Sequence, residues 1–243
     1  MSYKLTYKPF GERSVLIEWP LGIDENILSD IIVFKEKIKT KNIKGIVELR
    51  SSFNSLLVIY DIFIDIFEDV VFTLNQLYLQ KKQDISFSLK QWKIPVCYED
   101  TFAVDLKEVA NEKGISKESI VEIHSNTVYT VYFIGFLPGF MYLGGLNEKL
   151  YTPRKSTPRL KVLKGTVAIG GGQTGIYPSE SPGGWNIIGN SPIEFFNPQK
   201  KLPCFANVGD KIVFKPISLK EYMDIKTLVD AGVYQLESEI IDD

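Results

Sequence analysis

Short runs of β-branched and aromatic residues, interrupted by glycines and prolines, fill the chain from residue 127 to its C-terminus. The first run, Thr127 to Ile134, consists entirely of such residues. They favour strands, and many short strands separated by turn residues are typical of barrels and related all-β folds. The pattern therefore predicts a mainly-β, barrel-like domain in this part of the chain.

The first 90 residues have a different pattern. Strand-like alternation gives way twice to apolar residues at helical spacing, which predicts the element order ββαββα. Asp24 stands where the N-cap of the first helix is expected. This order favours a small α+β (ferredoxin-like) domain whose helices pack on one side of an antiparallel sheet. We therefore divide the chain into an α+β domain at residues 1–90 and a β-barrel domain at residues 91–243.

Two short helices are expected at the start of the second domain. Asp105, with Glu108 three residues later, resembles a capping box, and Gly114 is a plausible end for that helix. Ser116 is expected to cap the next helix, which runs to His124.

Composition excludes several classes of function. The 28 basic and 30 acidic residues give a net charge of −2, which argues against a generally basic, nucleic-acid-binding surface. One histidine and two cysteines without ligand spacing exclude the usual zinc sites, and no metal is expected. Cys97 and Cys204 are expected as free thiols, with a disulfide as the alternative. Because neither a signal peptide nor a membrane helix is present, we expect a cytoplasmic location without membrane contact.

The segment from Phe133 to Gly189 carries the most information about function. Its Leu137-Pro138-Gly139-Phe140 stretch suits a type II turn, because proline fixes φ at the second position and glycine adopts positive φ at the third. Two interpretations of the surrounding aromatics stay open, an aromatic-walled substrate pocket or plain packing. These aromatics are Phe136, Phe140 and Tyr142. The turn residues Leu137, Pro138 and Gly139 are candidates for a partner interface.

Positive charge is concentrated between residues 149 and 164. Pro153 and Pro158 stiffen this stretch, so Arg154 and Arg159 are expected to be held in place rather than free. A guanidinium group binds carboxylate or phosphate in a bidentate manner, which makes both arginines candidates for substrate binding. The lysines of the segment fit a solvated loop.

The run GTVAIGGGQTG at 165–175 resembles neither a phosphate-binding loop nor a dinucleotide fingerprint, so nucleotide binding by this chain alone is not expected. Its consecutive glycines, including Gly171 and Gly172, are suited to exposing backbone N–H groups to an anion or to letting another chain approach closely. Gln173 and Thr174 are candidates for orienting an amide or carboxylate. Trp185 is interpreted either as core filler or as a pocket wall or partner contact.

His124 has two interpretations. At the end of a helix, a protonated imidazole is favoured by the helix dipole, so a capping role is sufficient. The alternative is general acid–base catalysis, which makes His124 a candidate catalytic residue together with Gln173.

Six stretches, taken together and in their order along the chain, resemble one known family. It is called KipI, allophanate hydrolase subunit 1 or the 5-oxoprolinase B subunit. The stretches are IPVCYED at 94–100, HSNTVYTVYFIGFLPGFMYLGG at 124–145, TPRKSTPR at 152–159, GTVAIGGGQTGIYP at 165–178, SPGGWNIIGNSP at 181–192 and VGDKIVFKPIS at 208–218. The resemblance implies that the barrel is cyclophilin-like.

The same resemblance implies an activity and partners. The chain resembles one component of an ATP-dependent 5-oxoprolinase, an amide hydrolase that opens 5-oxo-L-proline to L-glutamate and needs its other subunits. The implied partners are a C-type subunit of the allophanate hydrolase subunit 2 family and an A-type subunit of the LamB/YcsF family, with ATP used by the complex. Two alternatives stay open: a module that binds and inhibits a histidine kinase, and a component of a urea- or allophanate-handling complex.

Overall fold

The computed structural model describes residues 3–80 and 88–241. The chain folds into two compact units, residues 1–87 and 88–243. None of the helices within the described ranges is long and apolar enough to cross a membrane.

The first unit contains a four-stranded antiparallel sheet and two helices. Its elements are β1 (Thr6–Pro9), β2 (Ser14–Glu18), α1 (Glu25–Lys41), β3 (Ile46–Ser52), β4 (Ser55–Tyr60) and α2 (Phe67–Leu79), and the strand order is β1-β2-β4-β3. The Asp24 side chain accepts hydrogen bonds from the first turn of α1, which confirms the expected N-cap.

The core of this unit lies between one face of the sheet and the two helices. Alternate residues of β2 and β4 are buried there, as the two-residue period of a strand requires. Asp30 is also buried, and its carboxylate accepts hydrogen bonds from the Trp19 indole at 2.8 Å and the Tyr78 hydroxyl at 2.7 Å. A buried carboxylate is tolerated here because it is hydrogen-bonded.

The second unit begins with β5 (Leu89–Cys97). It continues with α3 (Leu106–Lys113), α4 (Lys117–Ser125), β6 (Val128–Ile134), β7 (Met141–Gly144), β8 (Arg159–Val162), β9 (Thr166–Gly170), β10 (Gln173–Ile176), β11 (Ser181–Gly183), β12 (Asn186–Asn190), β13 (Lys211–Ile217), α5 (Leu219–Asp230) and β14 (Ser238–Ile241). Gly114 ends α3 at positive φ and the Ser116 hydroxyl caps α4, both as expected from the sequence.

Seven of these strands form a closed barrel. Its strand order is β12-β9-β10-β7-β6-β13-β5, and pairing of Cys97 in β5 with Asn190 in β12 closes it. β13 is parallel to β5 and the other barrel pairs are antiparallel, while β14 extends the sheet from β5 and β8 pairs with β11 as a separate ribbon. The predicted fold class, an α+β domain followed by a mainly-β barrel, is confirmed.

Candidate functional site

A second apolar cluster lies on the face of the barrel strands that points away from the interior. Along β7, β9, β10 and β12, one set of alternate side chains belongs to the main core and the other set to this outer cluster. The outer cluster consists of the buried residues Phe140, Val162, Ala168, Tyr177, Trp185 and Ile187, with Leu137 and Tyr142 packed against them. The sequence segment singled out above therefore forms one continuous surface feature.

Aromatic rings meet at close range in the outer cluster. The Phe140 ring lies edge-on to Tyr177, with centroids 5.0 Å apart, and edge-on to Trp185 at 5.9 Å. Tyr142 is 4.7 Å from Phe140 and 5.8 Å from Trp185. Edge-to-face pairs at such distances contribute about 0.5–1.5 kcal/mol each beyond the area they bury. Phe140 and Trp185 are thus well packed, while Tyr142 is half-buried and also stacks on the Phe133 ring at 5.3 Å.

The glycines of the segment make room for these rings. A Cβ atom at Gly170 would lie 2.8 Å from the Trp185 ring, and one at Gly175 would lie 3.0 Å from it. At Gly172 a Cβ atom would lie 3.0 Å from the Tyr151 ring. The backbone N–H of Gly171 donates to the Thr152 carbonyl at 2.7 Å, so the expectation that it is offered to an anion is wrong. Gly170, Gly172 and Gly175 permit the close approach of aromatic rings of the same chain, and the approach of another chain stays a prediction.

Gly175→Ala should lower the free energy of unfolding by about 2 kcal/mol, within the usual cost of overpacking a core. The added methyl group would lie 2.9 Å from the Met141 carbonyl oxygen and about as close to two rings. Urea unfolding of the purified chain measures this. Gly184→Ala is the matched control, since its nearest neighbour would be 3.5 Å away. Equal losses in the two variants would contradict the explanation.

The turn before β7 has the expected geometry. The Phe140 N–H donates to the Leu137 carbonyl at 3.0 Å, and Gly139 has φ +85°, as a type II turn requires. Phe136, just before the turn, has φ +72° and a side chain that is 63% exposed. A bulky residue at positive φ is unusual and strained, so this loop presents an aromatic ring to solvent at a cost.

Both arginines border the outer cluster. The Arg154 guanidinium lies 5.4 Å from the centroid of the Trp185 ring, a cation–π contact. Burial raises the pKa of Tyr177, and the nearby charges of Arg154 and Arg159 act in the opposite direction. Besides the stiffening expected from the prolines, Arg154 is held by contact with the Trp185 ring, and Arg159 is held by an acidic side chain.

Asp105 is that acid, and its role differs from the one expected. It makes no side-chain cap hydrogen bond to α3, so the predicted capping box is wrong. Its carboxylate, almost completely buried, accepts from the Ile187 N–H at 2.7 Å and from Arg159 Nη2 at 2.5 Å, with Lys155 Nζ at 3.3 Å. Asp105 thereby ties the basic segment to β12.

Two buried donors of the segment have no hydrogen-bond partner. They are Nη1 of Arg159 and Nε2 of Gln173. Gln173 and Gly175 are two residues apart in β10 and therefore face the same side of the sheet, where the Trp185 ring lies on Gly175. Leaving a buried donor unpaired costs about 1–3 kcal/mol, so each such group calls for an explanation. What both donors lack is an acceptor oxygen.

His124 and Thr174 lie elsewhere, in the main core. His124 is fully buried, its Nδ1 is 2.8 Å from the Tyr98 hydroxyl, and its Nε2 is 2.9 Å from the Thr174 hydroxyl. The Thr174 hydroxyl donates to the Ala168 carbonyl, so Nε2 must carry the proton and Nδ1 accepts from Tyr98. Burial lowers the pKa of His124 to about 3. The expectation of a protonated, capping imidazole is therefore wrong.

The structure thus brings together Phe140, Tyr142, Trp185, Arg154, Arg159 and Gln173, with the exposed Phe136 at their edge. It separates Thr174 and His124 from them, and it places Gly171 and Gly172 in the hairpin turn between β9 and β10. Tyr177 and Asp105 belong to the site but are missing from the sequence-based set. Alternation along β10 would have indicated Tyr177, which is on the same face as Gln173. Among the described residues, no group of three or more histidine, cysteine or acidic side chains is placed to hold a metal ion.

Comparison with known proteins defines the class. The family model of the carboxyltransferase domain, subdomains C and D, matches residues 5–206, and the chain belongs to this family. It is 34% identical over 232 residues to the 5-oxoprolinase B subunit of Bacillus subtilis (strain 168), covering 91% of this chain and 97% of that one. It is 38% identical over 206 residues to the 5-oxoprolinase B subunit of Haemophilus influenzae, covering 85% and 95%. The resemblance found in the sequence is confirmed.

A solved structure shares the fold. The urea amidolyase of Kluyveromyces lactis superimposes with a TM-score of 0.84 at 22% identity, covering 99% of this chain and 16% of that chain. At this level of identity the likeness concerns the fold alone.

Proposed function

We propose that this chain is the B subunit of an ATP-dependent 5-oxoprolinase, which hydrolyses 5-oxo-L-proline to L-glutamate together with an A-type and a C-type subunit. The curated relatives, which are named as the same component of 5-oxoprolinase, support this proposal. So does one structural observation, the pair of unpartnered buried donors on Arg159 and Gln173 beside an aromatic surface. The substrate class is a small lactam that carries a carboxylate.

The chemistry of this substrate fits the donors. Nη1 of Arg159 donates to the substrate carboxylate, a charge-assisted hydrogen bond that a guanidinium makes well. Nε2 of Gln173 donates to the lactam carbonyl oxygen, and so favours the charge that develops there as water adds to the carbonyl carbon. The ring C–N bond then breaks and its nitrogen becomes the amino group of glutamate.

The aromatic rings and Arg154 complete the binding surface. The half-buried Tyr142 ring and the edge of Trp185 pack against the apolar part of the substrate ring and exclude water from it. Arg154, held over Trp185, adds a second positive charge at the rim. His124 acts indirectly in this proposal, because its hydrogen bond to Thr174 fixes β10 and with it the neighbouring Gln173.

The other subunits supply the remaining groups. ATP, when bound by the complex, supplies the energy for activating the ring carbonyl, and this chain is not proposed to hold it, because its glycine-rich turn lacks a phosphate-binding loop. The chain alone is therefore proposed to be inactive. A cytoplasmic location, where ATP is available, belongs to the same proposal.

The exposed loop around Phe136 is the proposed contact with the C-type partner. Leu137, Pro138 and Gly139 form its turn, and the strained backbone of Phe136 holds an aromatic ring in solvent. Aromatic anchors of this kind are common at the centres of protein interfaces.

Glutamate release from 5-oxoproline should require the assembled complex. The chain is purified alone and with an A-type and a C-type subunit of the same organism, and glutamate is measured with and without ATP. We expect release only from the full set with ATP. If none of the combinations releases glutamate, the proposal for 5-oxoproline is overturned. Urea and allophanate, run in parallel, test the alternative that the likeness to urea amidolyases suggests.

A further inference from the structure

Two loops at one end of the first unit form a surface that the proposed site does not use. The turn after β1 and the segment after β4 are joined by a hydrogen bond from the Ile64 N–H to the Glu12 carbonyl at 3.0 Å. At the end of β4, the Tyr60 N–H donates to the Arg13 carbonyl of the same turn at 2.8 Å. The two loops therefore form one continuous surface, built from residues 10–13 and 61–66.

Four large apolar side chains of these loops point to solvent. They are Phe10, Ile62, Phe63 and Ile66, each more than half exposed. The same segment contributes Ile64 and Phe67 to the core of the unit, so the exposed side chains are not merely unfolded parts of that core. Single exposed apolar residues are ordinary, but several in one place mark an interaction surface.

The position of Ile66 supports a role in binding. It is the N-cap residue of α2, where serine, threonine, aspartate or asparagine is preferred, and it makes no side-chain cap hydrogen bond. Isoleucine at this position therefore makes α2 less stable than a capping residue would. A need for contact with another molecule accounts for that choice.

The rim of this surface is acidic. Glu12, Asp61 and Asp65 are exposed, and none of the ion pairs within the described residues involves them. Residues 10–13 and 61–69 contain five acidic residues and a single basic one, Arg13. Such a surface repels nucleic acid and anionic lipid. A symmetric contact with a second copy would place acid against acid, because the same patch meets itself across a two-fold axis.

We infer that this acidic apolar patch, formed by Phe10, Glu12, Asp61, Ile62, Phe63, Asp65 and Ile66, docks a basic, apolar surface of the C-type partner. The complementary charges steer the two chains together, and the apolar side chains provide most of the affinity. The inference rests on the proposed function, because the partner belongs to the same assembly. The patch is a second contact, in addition to the Phe136 loop.

The test measures, at two salt concentrations, the dissociation constant between the full chain and the C-type partner of the same organism. The double variant Phe63→Ser/Ile66→Ser should weaken binding at least tenfold. Its melting temperature should be unchanged or higher, because serine is a better N-cap than isoleucine. Asp61→Asn/Asp65→Asn should weaken binding severalfold and reduce its dependence on salt. Leu21→Ser is the control, since Leu21 is 96% exposed and follows the other end of β2.

The possible results distinguish failure of the patch inference from failure of the proposed assembly. If the wild-type chain binds the C-type partner and Phe63→Ser/Ile66→Ser binds it equally well, the patch is not the interface, while the proposed function stands. If the wild-type chain does not bind that partner, both the assembly and the patch inference fail. Light scattering measures the oligomeric state of the chain alone. If the wild-type chain is a dimer and the double variant is a monomer, a second copy occupies the patch and the inference is overturned.

Discussion

Arg159→Lys should lower kcat/KM of the assembled complex by about 10- to 100-fold and leave the melting temperature within a few degrees of wild type. Lysine keeps a positive charge that can pair with the buried Asp105 carboxylate, as Arg159 Nη2 does. It lacks the second, unpartnered donor that Nη1 provides. Losing one hydrogen bond to a charged ligand group costs about 1.5–3 kcal/mol, which corresponds to this change in rate. Steady-state glutamate release and thermal unfolding provide the two readouts.

Arg159→Ala is the informative companion variant. It removes the donor and also leaves Asp105 with only the Ile187 N–H and the more distant Lys155. We expect it to lose about 1–3 kcal/mol of stability in addition to activity, because a buried acceptor loses a partner. If Arg159→Lys has wild-type kinetics while Arg159→Ala is only less stable, then Arg159 is a structural residue and the substrate carboxylate binds elsewhere.

Local chemistry in the sequence was sufficient to predict much of the fold. Asp24, Ser116 and Gly114 have the roles that their residue types indicate, because caps depend on a few neighbouring atoms. The Pro138-Gly139 turn is likewise a local property. The same local reasoning failed at Asp105. There the capping pattern is present, but a salt bridge to Arg159, 54 residues away, takes the carboxylate instead.

The glycines show why the candidate site was only partly predictable. A glycine in a strand leaves space for a close neighbour. The sequence does not specify whether that neighbour is an anion, another chain or an aromatic ring. Here it is the Trp185 ring, which lies on Gly170 and Gly175. Their adjacency in the sequence predicts a shared role for Gln173 and Thr174, although neighbours in a strand face opposite sides. The pairing of strands decides which side is the core, and that is a property of the whole barrel.

Lowering the pH from 8 to 4.5 should destabilise the chain by about 3 kcal/mol through His124 alone. The imidazole has an ordinary pKa of about 6.5 in the unfolded chain, and burial lowers its pKa to about 3 in the folded one. Between pH 6.5 and 3, the imidazole is therefore mostly protonated in the unfolded state and mostly neutral in the folded state. The stability present above pH 6.5 is lost progressively as the pH falls towards 3, at about 1.4 kcal/mol per pH unit.

His124→Asn isolates this contribution from the titration of carboxylates, which both proteins share. Asparagine retains an amide that can bond to Thr174 or Tyr98, but it carries no proton in this range. We expect the variant to be less stable than wild type at pH 8 and to lose about 3 kcal/mol less between pH 8 and 4.5, as measured by urea unfolding. Identical pH slopes would mean that the folded imidazole titrates normally. His124 would then be accessible to protons, and a part in acid–base catalysis would replace the positioning role assigned to it through Thr174.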